Sequence, residues 1–198
     1  MGEYRYEGLG NITGGSYDRL NIEGLFNCNS PLQVNRMVCE GIMNVSAPLT
    51  TENLSMEGIL NVKGPLEAGS LRLDGIIKAD TVLITESLEA EGAIHTETLE
   101  ADSASLYYEE KKDTRNFVRS IRNFIFGKDT EVRTPIIQQL KATKLYIAGY
   151  CIGQVKGSDV TIGPDCVIDS VHADGKLRIH QSSRVKNLGS SVTPEYYV

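Results

Sequence analysis

Apolar and polar residues alternate along most of the chain, with a break every few residues. Between Leu20 and Arg36, Leu20 and Ile22 share one side, then Phe26 and Cys28, then Leu32 and Val34. Period-two alternation in runs this short predicts β-strands that bury one face. Gly24, Asn29-Ser30 and Asn35-Arg36 separate the runs, and glycine and asparagine supply the positive φ that corners need. The pattern predicts three short strands and three corners in seventeen residues.

The same seventeen residues then repeat. Gly24, Gly41, Gly58, Gly75 and Gly92 keep one spacing, each preceded by an acid: Glu23, Glu40, Glu57, Asp74 and Glu91. Leu20, Met37, Leu54, Leu71 and Leu88 hold a second fixed place, and Phe26, Met43, Leu60, Ile77 and Ile94 a third. A fixed short period means a solenoid, whose units bury their apolar faces only by stacking on one another. At roughly 3.3 Å per residue a coil is about 55 Å around, with coils about 4.8 Å apart, which predicts a slim triangular parallel β-helix. Glycine, asparagine and proline in mid-repeat disfavour a helical repeat, and a propeller needs a longer period.

Stacking turns columns into ladders. Asn27, Asn44 and Asn61 are expected to bond amide to amide. The acid column reads as a solvated corner, with a cation site as the sharper alternative. Leu25, Ile42, Ile59, Ile76 and Ala93 follow the corner glycines, so either the corner tucks them in or they form an apolar stripe for lateral contact.

The repeat decays after Asp102. Residues 109–139 read as a helical and loop insertion in which Phe117, Ile121, Phe124 and Ile125 line one side of a helix over 114–126, flanked by Arg115, Arg119 and Arg122. A short basic amphipathic helix of this kind packs on its own solenoid or lies on an anionic membrane surface. Coils are expected over 1–108 and again over 140–188. In the second block Leu145-Tyr146-Ile147-Ala148-Gly149 repeats the pattern of Leu20-Asn21-Ile22-Glu23-Gly24. Residues 189–198 read as a tail, loose or used in end contacts.

Charge narrows the function. Residues 1–106 hold 16 acids and 6 bases, and residues 107–198 hold 10 acids and 14 bases, so a net −6 divides into −10 and +4. A net acidic chain argues against general nucleic-acid binding. No apolar stretch is long enough to span a bilayer, and no secretory start is visible. Cys28, Cys39, Cys151 and Cys166 form no CxxC pair and read as reduced thiols, which fits a cytoplasmic protein.

No cluster of catalytic type stands out, and no cofactor or metal is expected. Gly8-Leu9-Gly10-Asn11-Ile12-Thr13-Gly14 is not a dinucleotide fingerprint, because Thr13 stands at the third glycine's place. Ile162-Gly163-Pro164-Asp165-Cys166-Val167-Ile168 matches one hexad of the hexapeptide-repeat acyltransferases. Those enzymes need many hexads and a histidine base, for which His95, His172 and His180 are the only candidates.

The iterated acid-Gly-x-aliphatic motif, from Glu23-Gly24 to Glu91-Gly92, resembles the bactofilins, polymer-forming cytoskeletal proteins of bacteria. The run from Leu145 to Asp169, with a basic helical insertion before it, is similar to the longer Gram-positive type. The resemblance implies a right-handed β-helix and a non-enzymatic scaffold that self-assembles end to end without nucleotide. It also implies roles in cell shape, motility or localisation of envelope, flagellar or cell-wall proteins, often at the membrane. On that reading end contacts fall to Tyr4, Tyr6, Leu9 and Ile12 in the first coil and Leu177, Ile179 and Val185 in the last. Lateral or membrane contact falls to Leu25, Ile42, Ile59, Ile76, Phe117, Arg119, Ile121, Arg122 and Phe124. The split core departs from the single uninterrupted core of a typical bactofilin, so a capped, non-polymerising adaptor stands as an alternative beside the acyltransferase.

Overall fold

A strand with one apolar face is stable only when that face is covered, and a coil of such strands covers it by closing on itself. The computed structural model describes residues 2–109, 136–189 and 191–198, and they form a parallel β-solenoid. Its strands are β1 (Glu3–Ile12), β2 (Gly15–Cys28), β3 (Leu32–Val45), β4 (Leu49–Val62), β5 (Pro65–Lys78), β6 (Thr81–Tyr107), β7 (Ile136–Ala148), β8 (Cys151–Ile162), β9 (Val167–His180), β10 (Arg184–Leu188) and β11 (Glu195–Tyr197). Each strand from β1 to β9 pairs with the next, and β11 pairs with β9. No helix occurs among the described residues. The helix expected over 114–126, with Phe117, Arg119, Ile121, Arg122 and Phe124, lies outside them.

The seventeen-residue register holds along this column, where Leu20 pairs with Met37, Met37 with Leu54, Leu54 with Leu71 and Leu71 with Leu88, while between β5 and β6 it slips by one residue at Ala68–Ser70. The first step is one residue shorter, setting Tyr4 on Leu20 and Tyr6 on Ile22. In the second half Leu145 pairs with Val160 and Val160 with Leu177. The inward columns make one continuous core, in which Leu20, Met37, Phe26, Met43, Leu60 and Ile77 are all buried.

The expected three strands per coil are one strand with corners in it. Gly24, Gly41, Gly58, Gly75 and Gly92 have φ of 123, 130, 120, 141 and 148°, a region closed to most side chains. They bend the backbone while its ladder continues, so from β2 to β6 only the Asn29-Ser30 type of corner interrupts a strand.

The second block starts earlier than residue 140. β7 begins at Ile136, and Ile137 pairs with Thr96 on one side and Ile152 on the other. Gln138 and Gln139 both face solvent, and two outward residues in a row hide the alternation that marks the strand. The tail is also not loose: Glu195, Tyr196 and Tyr197 lie in register on Arg178, Ile179 and His180.

Candidate association surfaces

At the N-terminal end the inward positions change from aliphatic to aromatic. Tyr4, Tyr6 and Tyr17 cap the columns of Leu20, Ile22 and Val34. Tyr4 meets Tyr17 edge to face with ring centroids 5.1 Å apart, and Tyr6 tilts onto Phe26 at 5.8 Å. The Tyr17 hydroxyl donates to the Thr13 carbonyl at 2.6 Å, and burial is the first cause that holds its phenol above the ordinary value. Tyrosine suits such a place because its ring covers core while its hydroxyl stays wet. Of the end residues expected here, Tyr4 and Leu9 are exposed, Leu9 at 82%, Tyr6 is half-buried and Ile12 is buried. The outer edge of β1 carries ten residues, and among the described residues β1 pairs only with β2.

At the C-terminal end the expected contacts are partly covered. Leu177 and Ile179 are buried core residues, and the returning tail lays Tyr196 on Ile179. Val185 is half-buried. The tail is held by an Arg178 Nε to Glu195 ion pair of 3.2 Å, by Arg178 4.9 Å over the Tyr197 ring, and by His180 edge-on to that ring at 5.2 Å. Sequence reading missed it because Glu195-Tyr196-Tyr197 is too short to show a period. Leu188 and Tyr196 remain exposed on this end.

The corner stripe is mostly tucked in. Ile59 and Ala93 are buried, while Leu25, Ile42 and Ile76 are half-buried. Neighbours one coil apart shield one another, so the stripe offers little apolar area of its own.

The outward ladders behave as their chemistry demands. Asn44 Nδ2 donates to Asn27 Oδ1 at 2.9 Å and Asn61 Nδ2 to Asn44 Oδ1 at 2.8 Å. Lys78 and His95 continue that column. Burial, with Lys78 nearby, holds the His95 imidazole below its ordinary value. Glu23, Glu40, Glu57, Asp74 and Glu91 are exposed, and Arg5 bridges Glu7 at 2.6 Å and Glu23 at 3.4 Å. Among the described residues no group of three His, Cys, Asp or Glu side chains is placed to hold a metal.

Concave ground is shallow. One groove of about 460 Å³ runs across the coils between Arg36, Arg72, Ser70 and Glu89, and another of about 470 Å³ lies by Lys156, His172 and Asn187. Neither brings together a nucleophile and an oriented base of the kind acyl transfer uses. Ser182 Oγ does lie 2.9 Å from His180 Nδ1, but this contact closes a turn. There the Ser182 amide donates to the same nitrogen at 3.2 Å, and both residues lie outside the grooves.

All four cysteines are free thiols, and Cys28, Cys39 and Cys166 are buried. Among the described residues no helix is long and apolar enough to cross a membrane. Compared with known proteins, the chain matches no family model, no curated protein and no solved structure.

Proposed function

We propose that the chain is a non-enzymatic scaffold that associates with itself end to end through its β-solenoid, without nucleotide, in the manner of the bactofilins it resembles. The observation that carries this reading is the ten-residue outer edge of β1, backed by half-exposed tyrosines that close the core. A parallel edge with free N–H and C=O groups is a template for another strand, and solenoids avoid stacking only by capping such ends. The iterated acid-glycine corner and the basic insertion are the features shared with that family. On this reading the protein works in the bacterial cytoplasm or on the inner surface of the membrane, supporting cell shape, motility or the placing of envelope, flagellar or cell-wall proteins.

A second reading, a capped adaptor forming only small oligomers, draws on the tail strand β11, which covers part of the opposite end.

Negative-stain electron microscopy of the purified chain, without nucleotide and at low and moderate salt, separates these readings. Filaments or sheets a few nanometres wide support the scaffold. Discrete trimers would favour a hexapeptide-type acyltransferase and call for an acyl-donor assay. Monomers or dimers at every concentration would leave the adaptor.

A further inference from the structure

The register fixes where a following coil must begin. Gly149 stands against the Tyr108 carbonyl as Gly24 stands against that of Gly8, so Leu145 to Gly149 is the counterpart of Leu20 to Gly24. Leu145 passes through Val160 to Leu177. The stretch Leu177-Arg178-Ile179-His180 therefore corresponds to Leu20-Asn21-Ile22-Glu23, on which Tyr4-Arg5-Tyr6-Glu7 lies. At the C-terminal end the residues on Arg178, Ile179 and His180 are Glu195, Tyr196 and Tyr197. β11 thus sits where a first strand sits, with Tyr196 on Ile179 as Tyr6 is on Ile22.

β11 fills this place poorly. It pairs three residues, whereas β1 carries ten, and it leaves Val185 half-covered. A second copy whose β1 took the place of β11 would continue the columns without a gap. Its Tyr4 would lie on Leu177, its Tyr6 on Ile179 and its Ile12 on Val185. Its Glu3 would meet Lys176 and its Glu7 would meet His180, while its Arg5 would lie on Arg178, a like charge that its pairing with Glu7 and Glu23 offsets.

We propose that β11 is an exchangeable plug that holds the landing site for the first strand of a second copy, and that its release opens the C-terminal end to head-to-tail addition. This rests on the end-to-end reading above and adds to it a polarity and a control point. What holds the plug is short: three ladder pairs with the Gln181 amide on the Tyr197 carbonyl at 3.0 Å, one exposed ion pair, the Tyr197 ring between Arg178 and His180, and the Tyr197 hydroxyl on the Ile162 carbonyl at 3.3 Å.

The test uses the full chain in two opposed variants, each checked for folding by circular dichroism. Glu195→Arg sets like charges across the Arg178 contact and loosens β11. The pair Arg178→Cys with Glu195→Cys, neighbours in the ladder, locks it as a disulfide. Sedimentation velocity is expected to show the loosened variant assembling at a several-fold lower concentration than the wild type. The locked form is expected to stay small until reduced. In the loosened background, molecules carrying Glu3→Cys should cross-link to molecules carrying Lys176→Cys, and neither kind should cross-link alone.

Assembly of wild-type and loosened chains at equal concentration sinks the plug and leaves end-to-end association standing. Cross-links between two Glu3→Cys molecules sink the head-to-tail polarity. If wild-type and loosened chains both stay monomeric at every concentration, the plug and the scaffold reading fall together.

Discussion

The hydroxyl of Tyr150 donates to the carbonyl of Gly92 at 2.5 Å, joining two residues 58 positions apart in the chain. Tyr150 is among the largest fully buried side chains, and it follows corner Gly149 as Leu25 follows Gly24. Residues 110–135, which lie between the two partners in the sequence, are outside the described residues. Burial pushes the Tyr150 phenol well above the usual range.

Tyr150→Phe is therefore expected to cost roughly 1–3 kcal/mol by leaving the Gly92 carbonyl without this donor. Tyr150→Ala is expected to cost about 3–5 kcal/mol because it also empties the site. Urea titration followed by circular dichroism measures both. A phenylalanine variant as stable as the wild type would mean that the bond contributes nothing net.

How much of this could be read beforehand follows from what repeats. The columns through Leu20, Phe26 and Gly24, the asparagine ladder and the equivalence of Gly149 to Gly24 were all legible, since each is a position seen several times. Tyr150 and β11 were not, because each is unique: no other corner glycine from Gly24 to Gly92 is followed by a tyrosine, and β11 pairs only three residues. The covering of Ile179 was missed for the same reason, since it is made by a three-residue strand with no second example. Ile59 was ambiguous because a corner residue's exposure depends on the neighbours above and below it, which spacing alone does not give.

Gly58 illustrates how tightly the corners stack. Its φ is 120°, and a Cβ built there would fall on the Gly41 carbonyl oxygen, which belongs to the backbone and cannot turn away. Gly15 has a similar φ of 132° but open space around it. Gly15→Ala should then cost only its backbone strain, of order 1–3 kcal/mol. Gly58→Ala should exceed about 4 kcal/mol, the range of severe lesions. Thermal melts of the two variants side by side decide this, and equal losses would mean that the clash relaxes freely.

The thiols should differ in reactivity. Burial, with Glu40 a lesser cause, pushes Cys39 up to about 12, and burial likewise raises Cys166, while Cys28 is also buried. The reactive species is the thiolate, so these three should be inert in the folded chain. Cys151, half-buried, is expected to take up a maleimide first. Mass spectrometry after a short pulse should find a single adduct at Cys151 in the native protein and four after denaturation. Early labelling of Cys39 would mean that the coils open locally.

His95 provides a pH dependence with a definite sign. Its folded value lies below the ordinary 6.5, chiefly because it is buried and secondarily because Lys78 stands next to it in the column. Between the folded and unfolded values the unfolded chain binds more protons, so stability rises with pH across that window. The contribution is fully present above 6.5 and is lost as the pH falls through the depressed folded value. His95→Asn places in the column the residue it already carries at Asn27, Asn44 and Asn61, and removes the titrating group. Denaturant midpoints taken from about pH 7 down to about pH 5 should fall for the wild type. They should fall less for His95→Asn, with the two curves closest above 6.5 apart from a constant offset. Parallel curves over the whole range would mean that the imidazole becomes protonated in the fold as easily as in the unfolded chain, and that Lys78 and the surrounding core do not oppose its charge.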